Sequence, residues 1–117
     1  MNRVIAMLLV TAAPSLAAAE GFTVSDLGSV ASETGCVDRA ENMMRQYGQQ
    51  ASIGQVTRGN WSVMAFNLSS QDYEAVVSCN YGPRDQTRAT MVVYSSNSGN
   101  EEERTRIVQQ LKNIWGN

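Results

Sequence analysis

Apolar residues change their period along this chain, and each change predicts an element. Cys36, Val37, Ala40, Met43, Met44 and Tyr47 fall on one stripe at helical spacing, with Asp38, Arg39, Glu41, Asn42, Arg45 and Gln46 on the other side. Thr34 is the expected N-cap of this helix, and Gly48 its expected stop. The methionine pair at 43 and 44 reads as core filler among apolar neighbours, not as a soft-metal site. From residue 61 to 68 the period shortens to two: Trp61, Val63 and Ala65 alternate with Met64, Phe66 and Leu68. The same period runs through residues 73–81, where Tyr73, Ala75, Val77, Cys79 and Tyr81 alternate with Glu74, Val76, Ser78 and Asn80. It returns at 88–95, with Ala89, Met91 and Val93 set against Thr90, Val92 and Tyr94.

A second helix follows. Ile107, Val108, Leu111, Ile114 and Trp115 form its stripe, Asn100 caps it with Glu103 three residues on, and Gly116 ends it. Glu101, Glu102 and Glu103 suit the positive end of the helix dipole. They do not suit a calcium ion, because consecutive helical residues diverge by about 100° and cannot converge on one site.

The links set the topology. Residues 69–72 are short enough for a hairpin between the first two strands, and Gly82-Pro83 opens a second turn at 82–87. Val56, in the connector 49–60, is a candidate start for a short strand. Residues 20–33 mix their spacings and contain Gly28 and three serines, so an irregular lead-in is expected there, with a single turn near 26–31. The predicted fold class is α+β with two layers: helix, three-stranded antiparallel meander, helix, over residues 34–117. Both helices would cover one sheet face. The other face would keep Val76, Val92, Tyr94 or the far side of the first strand. Either it is open to a partner or the lead-in folds over it.

The first nineteen residues stand apart. Arg3 precedes an apolar run at 4–10, Pro14 breaks it, and Ala17-Ala18-Ala19 offers a small-residue cleavage site. The run is shorter than the roughly 20 residues needed to span a bilayer. We read residues 1–19 as a cleaved signal peptide, which places the protein in a bacterial periplasm or outside the cell. Loss of Arg3 with that leader takes the net charge from −2 to −3. Such a balance disfavours nucleic acid and anionic membrane surfaces as partners. In an exported chain the only two cysteines, Cys36 and Cys79, are expected to form a disulfide. A loop of that size corresponds to about 4 kcal/mol of stabilisation, by constraint of the unfolded chain.

The chemistry is sparse. The sequence has no histidine, which removes serine–histidine and cysteine–histidine catalysis and the commonest metal ligand. There is no glycine-rich phosphate loop, and the one lysine, Lys112, sits on the polar side of the last helix. Asp72 and Glu74 are the only carboxylate pair worth weighing for a small hydrolase, and a hydrated turn edge accounts for them better. No cofactor and no metal are expected. The expectation is a non-enzymatic binding or accessory module whose partner is another exported protein. The alternative is an inhibitor or immunity-type protein that blocks an exported enzyme. Tyr81, Arg84, Asp85 and Arg88, at one end of the sheet, are the candidate contact residues for a partner.

Overall fold

The computed structural model describes residues 21–96 and 100–116. The leader read at 1–19 lies outside them. In chain order the elements are β1 (Gly21–Val30), α1 (Glu33–Gln50), β2 (Val56–Arg58), β3 (Ser62–Phe66), β4 (Tyr73–Tyr81), a short 3-10 turn (Pro83–Asp85), β5 (Thr87–Ser95) and α2 (Glu101–Trp115). The strands form one antiparallel sheet in the order β1-β5-β4-β3-β2. The fold is α+β, as the periodicities indicate.

The sheet has five strands, not three. The meander β3-β4-β5 is its middle, and a strand is added at each edge. Residues 21–30 are therefore no irregular lead-in. They pair with β5 along its length, from Gly21 opposite Ser95 to Val30 opposite Thr87. The register shifts between Asp26 and Gly28. Gly28 takes φ +88°, a conformation open to glycine at little cost, and its amide donates to Asp26 Oδ1 at 2.8 Å.

Ser32, not Thr34, caps α1: its Oγ accepts from the amide of Gly35 at 3.0 Å. The helix also runs on past Gly48. There glycine serves close packing, since a Cβ would lie 2.4 Å from Ile53 Cγ2. Asn100 caps α2 as its sequence indicates, with Oδ1 accepting from the amide of Glu103 at 2.8 Å. Its own amide donates to the Tyr73 hydroxyl at 3.0 Å, which ties the start of α2 to the start of β4.

The core lies between the helices and one face of the sheet. Cys36, Val37, Ala40, Met43, Met44 and Tyr47 of α1 share it with Ile107, Val108, Leu111 and Trp115 of α2. The sheet contributes Val63, Ala65, Tyr73, Ala75, Val77, Cys79, Ala89, Met91 and Val93, the alternate positions of β3, β4 and β5. Leu68 is fully buried although the alternation puts it on the opposite side. The chain leaves β3 at Asn67, whose φ of 56° turns the next residue inward.

The disulfide between Cys36 and Cys79 is present, with Cα atoms 6.0 Å apart. It joins the first turn of α1 to β4. At the other side of the core α2 holds β1 at two points. Arg104, buried, donates through Nη1 to Ser95 Oγ at 2.6 Å and through Nε to Thr23 Oγ1 at 3.3 Å. The Trp115 indole N–H donates to the carbonyl of Leu27 at 3.0 Å, beside the bulge. Arg39 of α1 lies 4.3 Å above the Trp115 ring and donates to its carbonyl, so both helices meet at this residue.

Candidate functional site

The inward side of β1 is small and polar at Thr23 and Ser25, and its outward side carries Phe22 and Val24. This inverts the usual arrangement. Phe22 stands opposite Tyr94, and Val24 opposite Val92. Both belong to the face that the helices do not cover. The lead-in therefore adds to the second sheet face and does not fold over it.

Cross-strand register assembles that face into rows. In one row Val24, Val92, Val76 and Met64 follow each other across β1, β5, β4 and β3. In the adjacent row come Phe22, Tyr94, Glu74 and Phe66. The Phe22 and Tyr94 rings are 5.1 Å apart, centroid to centroid, and tilted by 40°. Phe22, Met64, Glu74, Val76, Val92 and Tyr94 line a shallow cavity of about 140 Å³. Further along the strands the face becomes polar, with Asp26, Thr90, Ser78 and Ser62 in one row and Arg88 opposite Asn80. Phe22 and Val24 are 69% and 65% exposed, a large unburied apolar area for edge-strand residues.

Charges on this face divide in the same way. Arg88 of β5 pairs with Asp26 of β1 across the polar half. The Gly28 amide, and after it the Arg88 guanidinium, hold the Asp26 carboxyl below its ordinary range. Among the described residues Glu74 is the single carboxylate in the apolar half, and no cation pairs with it.

The residues proposed for partner contact separate. Tyr81 ends β4 on the helix side, 72% exposed, with its ring 6.0 Å from that of Trp61 in an edge-on arrangement. The neighbouring Glu33 carboxylate raises the Tyr81 hydroxyl's pKa. Arg84 and Asp85 form the 3-10 turn, both in the left-handed region with φ of 67° and 55°. Tyr81 and Asp85 border one concavity with Ser32, Glu33, Thr34 and Thr87. Arg88 projects from the opposite face, because it alternates with the buried Thr87 and Ala89. Asp72 lies in the turn before β4, and Glu74 opens on the apolar cavity. No group of three or more histidine, cysteine or carboxylate side chains able to hold a metal ion occurs among the described residues. None of their helices is long and apolar enough to cross a membrane.

No family model, curated protein or solved structure matches this chain. Reading the sequence placed Val76, Val92 and Tyr94 on the second face but missed Phe22 and Val24. Their alternation with Thr23 and Ser25 was the available signal, obscured by the expectation that a strand's apolar side faces the core.

Three paired surface carboxylates contribute to the fold's resistance to acid. Glu103 is lowered by Arg106 first and by the Ser69 hydroxyl after it, and Glu41 by Arg58 and then Arg45. With Asp26, these groups have folded pKa values below their ordinary 3.8 (Asp) or 4.5 (Glu). A depressed carboxyl contributes stability above its unfolded pKa and loses it as pH falls through the folded value. Melting followed by circular dichroism should therefore give a midpoint that is flat from about pH 8 to 5, with no histidine to titrate, and that drops below about pH 4.5. A midpoint that moved chiefly between pH 5 and 7 would contradict this.

Proposed function

We propose that the mature chain is an exported, non-enzymatic binding module that docks a macromolecular partner on its uncovered sheet face. The observation that carries the proposal is the apolar band from Val24 through Val92 and Val76 to Met64, with Phe22 and Tyr94 beside it. An apolar surface held by a rigid sheet needs no folding on contact, so its burial goes directly into binding. The lack of histidine and the disulfide fit an exported structural scaffold better than a catalyst.

The test is capture by tagged mature protein from periplasmic extract, with wild type beside V76D and V92D. Both sites lie outside the core, half-buried on the outward face, so the variants should stay folded with midpoints lowered by about 5 °C. A stoichiometric partner recovered by the wild type and lost from both variants is expected. A partner held equally by all three would move the docking site elsewhere.

The Trp61–Tyr81 pair supports a second reading, in which the chain blocks an exported enzyme through the end of the sheet that carries Tyr81, Arg84 and Asp85. These exposed aromatics beside a protruding turn resemble an inhibitory edge. Under that reading W61A and R84E would release the partner, and V76D would retain it.

A further inference from the structure

We infer that the element received by the uncovered face is an arginine side chain presented by an apolar segment of the partner. The inference rests on the binding reading above and specifies the chemistry of that same surface. The cavity floor is Val76, Val92 and Met64, which suits an aliphatic stem. At one margin stand the Glu74 carboxylate and, beside it in the same row, Tyr94, Phe22 and Phe66. A carboxylate between aromatic rings matches a guanidinium in both respects. The planar cation takes a bidentate pair with the carboxylate and stacks on the rings.

Charge complementarity points the same way. Asp26 and Arg88 neutralise each other in the polar half, which leaves Glu74 as the one charge in the apolar half without a counterion among the described residues. Covering it with a purely apolar partner would desolvate an unpaired carboxylate, an unfavourable outcome. A second copy of this chain, face against face, would bury two such carboxylates together. The size of the patch agrees. Four strands about 4.8 Å apart and two rows about 7 Å apart span a few hundred Å². A stable protein dimer needs about 800 Å² from each partner. The cavity of about 140 Å³ accommodates one large side chain.

The probe is the capped tripeptide acetyl-Leu-Arg-Leu-amide, compared with the same peptide carrying citrulline, which keeps the shape and removes the charge. Each is titrated into 15N-labelled mature protein. The arginine peptide should shift the amides of Glu74, Val76 and Val92 with millimolar affinity, and citrulline should weaken it at least about tenfold. E74Q, which keeps the fold, should bring the two peptides to equal affinity. Equal binding of both peptides to the wild type would overturn the inference, as would an absence of shifts on this face at about 10 mM. Sedimentation showing a dimer that V92D dissociates would assign the face to a second copy and overturn it too. If V76D loses the captured partner and E74Q keeps it at full affinity, the docking surface stands and the arginine assignment falls.

Discussion

Replacing Cys36 and Cys79 together by alanine will lower the unfolding free energy by more than about 4 kcal/mol, much of what a domain of this size possesses. The two residues are 43 positions apart in sequence, so the bond closes a loop containing most of α1, β2, β3 and nearly all of β4. Without it the unfolded chain regains the freedom to separate those ends, and the cost of closing them returns to folding. Both cysteines are fully buried, between α1 and the middle of the sheet. The alanine variant therefore also loses two sulfur atoms from the packed core, which adds to the destabilisation. Reduction of the wild type keeps both sulfurs in the core, so it reports the loop effect with no cavity and only the small separation that two thiols require. Urea unfolding should show the oxidised protein most stable, the reduced protein about 3–4 kcal/mol lower, and the double variant lower again. If the oxidised and reduced forms unfold within about 1 kcal/mol of each other, the staple is not what holds α1 on the sheet.

The second large effect is expected at Trp115. W115A should cost about 3–5 kcal/mol, the range for removing a large buried aromatic. The indole sits where α1, α2 and β1 meet: buried on the core side, under the Arg39 guanidinium, with its N–H on the Leu27 carbonyl. Its loss leaves that carbonyl without its indole donor and removes one of the two points at which α2 holds β1. The damage should therefore be directional. Amide exchange in β1 should accelerate more than in β3 or β4, because the meander retains its own pairing and the disulfide. W115F keeps most of the apolar area and removes the N–H. It should recover most of the stability while β1 still exchanges faster than in the wild type. Uniform acceleration across the sheet in both variants would show that Trp115 acts only as core volume.

These two anchors differ in how they could be read. The disulfide follows from cysteine arithmetic: the sequence has two cysteines, which allow one pairing. Trp115 was recognisable as a stripe residue, but its bond to Leu27 depends on β1, which the sequence disguises. Gly28 and the serines at 25 and 29 lower strand propensity. The pairing of residues 21–30 with β5 supplies what propensity does not. A ladder against an already formed strand, together with Arg104 and Trp115 from above, outweighs a weak local preference.

The chain's own order of residues determined the two helices, the three central strands, the capping of α2 by Asn100 and the pairing of Cys36 with Cys79. Periodicity and short links are local properties, and a pair of cysteines has one partner choice. Tertiary structure alone decided the pairing of residues 21–30 as an edge strand, the outward turn of Phe22 and Val24, and the placement of Glu74 among aromatic rings. Which residues share a face across β1, β5, β4 and β3 depends on register between segments distant in sequence. A one-residue slip in any of those pairings would send every side chain to the other side.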